Sequence, residues 1–334
     1  VYRLARWERG ASAAATRQER EGVDGRLQIF AGNSNPRLAQ AIVGVLETPL
    51  GRAEVSSWSD GETRVRLEEN VRGSDVFVIQ SLCAPVNQNI MELLIILDAV
   101  KRASAARITA VIPYYAYARQ EKKTAGREPI SAKLLANLLT TAGADRVLTI
   151  DLHAPAIEGF FDIPVDHLRA TPILAAHFRR LGLSDFVVVS PDAGAVVRAD
   201  EFRRRAGGSL AIISKKRPGP EVAEVLEMVG DVDGRDAVIV DDIIATGGTL
   251  LQAAELLRER GARRIFAAAV HGVFAGQALE RIQTSPIEKV FVTDTIPLPE
   301  GMCTDKVEVL TVAPLLAEAI MRIHKDLSIS ALFT

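Results

Sequence analysis

Two adjacent carboxylates end the apolar run Val238-Ile239-Val240-Asp241-Asp242, and the chain continues Ile243-Ile244-Ala245-Thr246-Gly247-Gly248-Thr249. A helical pattern from Leu250 to Arg260 follows, with Gly261 at its end. Strand, acidic pair, glycine turn and helix, in that order, make a cup for a sugar phosphate. The N–H groups of a glycine turn at a helix N-terminus face an anion. Carboxylates beside it accept hydrogen bonds from sugar hydroxyls. The competing reading, a plain strand-to-helix turn, leaves two Asp without partners after four apolar residues, which is costly wherever they are buried.

Phosphate needs cations, and their source is not a standard loop. The sequence holds neither G-x-x-x-x-G-K-[ST] nor G-x-G-x-x-G, so no P-loop or dinucleotide fingerprint is present. Two basic clusters remain. Arg119, Lys122, Lys123 and Arg127 sit in a stretch flanked by Tyr114, Tyr115, Tyr117 and Pro129, and residues 114–128 read as a mobile loop. Lys215, Lys216 and Arg217 form the second cluster, ahead of Pro218-Gly219-Pro220. Taken alone, either is an ordinary solvated loop. Together they suit two arms that close on a polyphosphate and exclude water from a reactive anhydride.

Three further groups carry chemistry. His153 follows a strand pattern in Asp151-Leu152-His153-Ala154-Pro155, where Asp151 is expected to orient its ring. Asp192, in Ser190-Pro191-Asp192-Ala193-Gly194, is placed to hold Mg²⁺ through water, since that ion seeks oxygen and accompanies polyphosphates. Trp58-Ser59-Asp60-Gly61-Glu62 reads either as a simple turn or as an aromatic with two acceptors for a purine base.

The elements that must position these groups alternate along the chain. β-Branched runs at Leu27–Ala31, Val76–Gln80, Ile108–Ile112, Val147–Asp151, Phe186–Ser190, Ala211–Ile213, Ala237–Val240, Ile265–Val270, Val290–Thr293 and Val307–Leu310 predict strands. Helical patterns lie between them at Pro36–Leu46, Asn89–Ser104, Ser131–Ala142, Ile173–Leu181, Leu250–Arg260 and Pro314–Lys325. Strands between helices imply an α/β fold with mainly parallel sheets flanked by helices. Ligands in such sheets bind beyond the carboxyl ends of the strands, where the polar signals fall.

Length and composition agree. The 334 residues are 48% hydrophobic, which suits two domains rather than one core. The expected division is an N-terminal domain over 27–165, a C-terminal domain over 166–312, and a last helix and tail over 313–334 that pack back on the first domain. Residues 1–26 are rich in Arg, Ala and Glu and read as a disordered or expression-derived extension. Lys and Arg number 40 against 42 Asp and Glu, so no basic excess points to nucleic acid. Cys83 and Cys303 have no metal-ligand or disulfide spacing, which fits a reducing cytoplasmic setting. No apolar run approaches the ~20 residues of a membrane span.

From about Gln28 to Phe333 the sequence resembles the ribose-phosphate pyrophosphokinase family. The blocks that carry the resemblance are Asn33-Ser34-Asn35-Pro36, Ser59-Asp60-Gly61-Glu62, Ile112-Pro113-Tyr114-Tyr115, Tyr117-Ala118-Arg119-Gln120, Asp151-Leu152-His153-Ala154, Phe160-Phe161-Asp162-Ile163-Pro164, Ser190-Pro191-Asp192 and the Asp241–Thr249 cup. The resemblance implies two similar type I phosphoribosyltransferase-like domains. It implies transfer of the β,γ-diphosphoryl group of ATP to the C1 hydroxyl of ribose 5-phosphate. It also implies Mg²⁺, and homodimers assembled into a hexamer. Carried over by residue, Asp241, Asp242 and the turn from Ala245 through Thr246, Gly247 and Gly248 to Thr249 would hold ribose 5-phosphate. Arg119 and Gln120 would hold ATP with Trp58, Asp60 and Glu62, the acids coming from a neighbouring subunit. His153 and Asp192 would serve the metal. Arg127, Lys215 and Arg217 would stabilise charge during transfer, with His153 also in the catalytic set. Two positions depart from the family's pattern: Ala245 stands where it usually has Asp, and Thr124 where it usually has an acid. The family's inorganic-phosphate regulatory pocket would map near Arg72, Ser104, Ser328 and Ser330.

Two other functions compete. A purine phosphoribosyltransferase explains the cup but not the second α/β unit, the basic clusters or the Asp-Leu-His block. A non-catalytic regulatory homologue would be expected to lack His153, Lys215 or Arg217, and all three are present.

Overall fold

The computed structural model describes residues 25–216, 225–298 and 305–332. Along the first part of the chain run β1 (Leu27–Ala31), α1 (Pro36–Val45), β2 (Ala53–Ser57), β3 (Thr63–Leu67), β4 (Asp75–Ile79), α2 (Val86–Arg102), β5 (Arg107–Ile112), α3 (Ser131–Ala142), β6 (Arg146–Ile150) and β7 (Val165–Leu168). Next come α4 (Thr171–Arg180), β8 (Phe186–Ser190), α5 (Val196–Ala206), β9 (Ser209–Lys216), β10 (Val225–Val229), β11 (Asp236–Ile244) and α6 (Gly248–Glu259). The last elements are β12 (Arg264–Gly272), α7 (Ala278–Thr284), β13 (Ile287–Thr293), β14 (Val307–Leu310) and α8 (Ala313–His324).

The strands form two main sheets. The first has the order β1-β4-β5-β6-β7, and every pairing in it is parallel. The second has the order β10-β9-β8-β11-β12-β13-β14, parallel except for β10 against β9. The central strands explain themselves. Asp-Val-Phe-Val-Ile in β4 and Phe-Val-Val-Val-Ser in β8 are buried throughout, as strands covered on both faces must be. The hairpin β2–β3 stands apart as its own antiparallel pair.

Three apolar cores follow from the two sheets. One lies between α2, α3 and one face of the first sheet, and another between α6, α7 and the far face of the second. The largest is shared. It joins Ile29, Phe77 and Leu148 of the first sheet to Val238, Phe266 and Phe291 of the second, through α1, α4, α5 and α8. Burying both inner faces in one core ties the sheets into a single body.

Local chemistry sets the helix ends. The Asn35 side chain accepts from the Leu38 N–H at 3.2 Å, and Pro36 opens α1. Helix α8 packs on α1, and a charged cluster fixes its end. Arg107 grips the fully buried Asp75 at 2.8 and 2.7 Å, and also reaches Asp326 and the Ile323 carbonyl, each at 2.7 Å.

The structure corrects several expectations. The boundary expected after residue 165 falls inside β7, which pairs with β6, so the first sheet runs to Leu168. Lys215 and Lys216 are not in a loop: β9 runs through both and pairs with β10. Residues 1–24, Arg217 and Cys303, on which other expectations rest, lie outside the described residues.

Candidate active site at the switch point of the second sheet

Strand order reverses between β8 and β11. β8 leads on to β9 on one side, while β11 leads to β12 on the other. Such a switch point opens a crevice at the carboxyl ends of the two strands, and both polar loops lie there. β8 delivers Pro191 and Asp192. β11 delivers Asp241 and Asp242 and then the turn into α6. Gly247 sits at φ 74°, a left-handed conformation that favours glycine, and caps α6. A small pocket of about 170 Å³ opens here. Asp241 and the Ala245–Thr249 turn line it from the second domain, and Arg119 lines it from the first.

The two carboxylates are partnered and differ in character. Arg198 of α5 reaches both, with its Nη1 3.4 Å from Asp241 Oδ1 and 3.3 Å from Asp242 Oδ1. The Asp242 N–H also donates to Asp241 Oδ1 at 2.8 Å. Asp242 Oδ2 lies 2.7 Å from His153 Nδ1. Burial pushes Asp241 up to about 7, and the charge of Asp242 beside it adds to the rise. Burial also works against a charged Asp242, but His153 and then Arg198 outweigh it and hold that carboxyl well below the usual range. The hydrogen bond to Asp242 raises His153, against burial and Arg198. The pair therefore splits into one charged and one readily protonated acid, a division of roles that environment alone creates.

Asp151 does not orient His153. Its carboxylate accepts from the Ala170 N–H at 2.7 Å and faces Arg169 at 3.4 Å. Its backbone bends at φ 40°, which turns the next residues toward the second domain, where Asp242 takes the ring. Asp192 Oδ1 accepts from the Ala195 N–H at 2.9 Å, bracing the loop into α5.

The Tyr114–Glu128 loop holds its own shape. Tyr115 donates to the Ala132 carbonyl, Tyr117 to Asn87, and Ser131 to the Gln120 side chain. Thr124 and the Ala125 N–H bind Glu128, so the hydroxyl found where an acid was expected closes a turn. Arg127 is exposed at φ 66°. Trp58, Asp60 and Glu62 occupy the exposed tip of the β2–β3 hairpin, where Arg64 stacks 4.8 Å from the Trp58 ring. Among the described residues, no hydrogen bond or ion pair joins this tip to Arg119, Gln120, Asp241 or Asp242. Two residues at the site escaped the sequence reading, Arg198 and His271. Their only local signal is a polar residue just inside a helix that follows a strand-end loop, and another near the end of an apolar strand.

A doubled α/β unit with an acidic pair and a Thr-Gly-Gly-Thr turn at its switch point is a type I phosphoribosyltransferase fold. The N-terminal domain of ribose phosphate pyrophosphokinase matches residues 27–143, and the phosphoribosyl synthetase-associated domain matches residues 209–334. The chain is 59% identical over 310 residues to the ribose-phosphate pyrophosphokinase of Caldanaerobacter subterraneus subsp. tengcongensis, covering 92% of this chain and 98% of that one. Its identity to the Oceanobacillus iheyensis enzyme of the same name is 52%, over 93% of this chain and 98% of that one. The solved phosphoribosylpyrophosphate synthetase of Mycobacterium smegmatis superposes with a TM-score of 0.86 at 44% identity, covering 90% of this chain and 99% of that one. The chain belongs to the ribose-phosphate pyrophosphokinase family.

Proposed function

We propose that this chain transfers the β,γ-diphosphoryl group of ATP to the C1 hydroxyl of ribose 5-phosphate. The C1 hydroxyl gives up its proton to solvent as its oxygen bonds to the β-phosphorus, and the bond from that phosphorus to the oxygen shared with the α-phosphorus breaks, leaving that oxygen on AMP. The products are 5-phospho-α-D-ribose 1-diphosphate and AMP. One observation carries the reading: Arg119 from the first domain lines the same pocket as Asp241 and the Ala245–Thr249 turn of the second. A sugar-phosphate cup thus faces a cation from a separate domain, as joining two anionic substrates requires.

In this reading Asp241 and Asp242 accept from the ribose hydroxyls. The N–H groups at the start of α6, with Thr246 and Thr249, hold the 5-phosphate. With Ala245 in place of a further acid, the sugar's acceptors reduce to that pair. Arg119 and Gln120 position ATP. Trp58, Asp60 and Glu62, on an exposed tip, serve the nucleotide of a neighbouring copy in a homo-oligomer, dimers assembling into a hexamer. Arg127, Lys215 and Arg217 neutralise charge that develops on the moving group. Diphosphoryl transfer rests on positioning the two oxygens in line and neutralising the phosphate charge that develops between them.

Mg²⁺ is the ion this reading requires. With Nδ1 bound to Asp242, His153 offers Nε2, and Asp192 keeps one carboxylate oxygen beyond the bond to Ala195. Among the described residues no three ligating side chains cluster. That donor set suits an ion that takes most of its oxygens from phosphates and water. When bound, it offsets phosphate charge.

AMP release tests the assignment. With ATP and Mg²⁺ present, AMP should appear only when ribose 5-phosphate is added. AMP formed without the sugar, or ADP in its place, contradicts the proposal. Lys215→Ala should lower kcat far more than it raises KM, because a cation that acts on developing charge contributes little to ground-state binding.

A further inference from the structure

The second sheet grips one tripeptide of the first domain at two points. β11 and β12 are neighbours, with Ile243 opposite His271. Asp242, one residue before Ile243, takes the His153 ring at 2.7 Å. His271 is 1% exposed, and its Nε2 lies 3.1 Å from the backbone carbonyl of Asp151. Its Nδ1 lies 2.9 Å from Thr295 Oγ1, and the Tyr114 ring meets it edge-on at 5.0 Å.

The partners define the tautomer. A carbonyl only accepts, so Nε2 carries the proton and donates to Asp151, while Nδ1 accepts from the Thr295 hydroxyl. Burial favours this neutral ring by lowering its pKa. The carbonyl it holds belongs to a strained residue, a non-glycine at φ 40°. The first domain secures the rest of the turn. The Ala170 N–H binds the Asp151 carboxylate, and the Leu152 N–H donates to His167 Nε2 at 2.7 Å. Among the described residues, His271 is the one second-domain side chain hydrogen-bonded to the backbone of this turn. The other polar tie to the second domain, the His153 ring on Asp242, has a side chain that is 37% exposed.

We propose that His271 is a positioning residue for the transfer: its Nε2–H, carried on β12, holds the Asp151 carbonyl and so fixes the turn that delivers His153 to Asp242 and the cup. The inference rests on the reaction proposed above. His271 touches no substrate and acts through the Asp151–His153 backbone. Because Asp242 and His271 stand on adjacent strands, the ring and its backbone support are referred to the same rigid frame. Misplacing a reacting group's support by about 1 Å costs on the order of 100-fold in rate.

The test uses the full chain and compares kcat, ribose 5-phosphate affinity by calorimetry and melting temperature. The variants are His271→Leu, His271→Gln and Thr295→Val. His271→Leu should lose about 100-fold in kcat, while ribose 5-phosphate Kd changes by no more than roughly threefold, since the acidic pair and glycine turn of the cup are built on β11 and the start of α6 rather than on the Asp151–His153 turn. His271→Gln places an amide N–H within reach of the same carbonyl and should recover about tenfold or more of that loss. Thr295→Val, which removes the hydroxyl donating to Nδ1, should lower kcat by a smaller factor. Full kcat in His271→Leu, equal impairment in the Gln and Leu variants, or a Kd that rises in step with the kcat loss overturns the inference. Should His271→Leu fail to fold, Thr295→Val decides: unchanged kcat in that variant overturns it. Failure of the unsubstituted chain to release AMP is a separate outcome, which removes the reaction assignment and this inference with it.

Discussion

Asp242 Oδ2, on β11 of the second sheet, lies 2.7 Å from Nδ1 of His153, on the loop after β6 of the first. One contact therefore joins the ribose side of the crevice to the first domain. If the two groups act as a unit, their losses are not additive. His153→Ala and Asp242→Asn should each lower kcat/KM strongly. In the double variant the coupling should amount to about 1–3 kcal/mol. Purely additive losses in this cycle would show that the contact does not operate in the reaction.

Asp241 brings a pH dependence to sugar binding. Burial and the neighbouring Asp242 raise its pKa to about 7, and a protonated carboxyl gives up acceptor capacity. Affinity for ribose 5-phosphate should therefore fall as pH drops from 8 to 6. The phosphate of the sugar also titrates near pH ~6, so the diagnostic quantity is the difference from Asp241→Asn. That variant should bind more weakly at pH 8 and show a flatter profile by calorimetry. A profile identical in both proteins removes Asp241 from the binding account.

The same residue costs stability. A carboxyl whose folded pKa lies above its unfolded value favours folding when protonated, and this contribution is lost as pH rises from the unfolded pKa of about 4 through 7. Asp241→Asn should raise the melting temperature at pH 8 by roughly 2–4 °C, with little change near pH 4. A lower melting temperature at pH 8 would contradict the assigned strain.

The cup's turn depends on one backbone conformation. Gly247 lies at φ 74°, and its Cβ position has open contacts, the nearest being Leu251 Cδ1 at 3.6 Å. Substitution there meets conformational strain rather than a clash. Gly247→Ala should cost about 1–2 kcal/mol in the geometry of the turn and raise KM for ribose 5-phosphate more than that for ATP. An equal effect on both substrates would argue against a phosphate site at this turn.

Much of the fold was legible because parallel strands covered on both faces are continuous apolar runs. β4 and β8 are buried along their full length and read directly. β2 and β3 were missed because Arg64, Arg66 and Glu54 interrupt half-exposed strands, and β7 because Val-Asp-His-Leu is too short and polar. α5 was missed because only Ala199 and Phe202 of its eleven residues are buried, leaving a weak apolar stripe. The acidic pair and glycine turn were legible because they are contiguous. Arg198 was not, since its role arises only when α5 brings it to Asp241, 43 residues away. The choice of Asp242 over Asp151 as the partner of His153 also follows from how the two sheets pack, which no local pattern encodes.

The link between α8 and the first domain predicts a stability effect remote from the crevice. Arg107 carries the paired hydrogen bonds to Asp75, which is fully buried. Arg107→Met would leave that carboxylate with the His324 ring, at 2.9 Å, as its remaining side-chain partner. Removing one member of a buried pair costs about 3 kcal/mol or more, so the melting temperature should fall by roughly 5–10 °C. Ribose 5-phosphate affinity at 25 °C should be unchanged. Thermal scans and calorimetry on one preparation separate the two effects.

In the proposed reaction, the pentose-phosphate cup of the second domain and the cations facing it, Arg119 of the first domain among them, align the β-phosphorus of a nucleotide with an anomeric oxygen. The decisive experiment is incubation with ribose 5-phosphate, Mg²⁺ and ATP labelled at the β-phosphorus. The label should leave the nucleotide with the γ-phosphate and be recovered on C1 of the sugar, with unlabelled AMP as co-product. Label retained in ADP, with a single phosphoryl group on the sugar, would rule out diphosphoryl transfer.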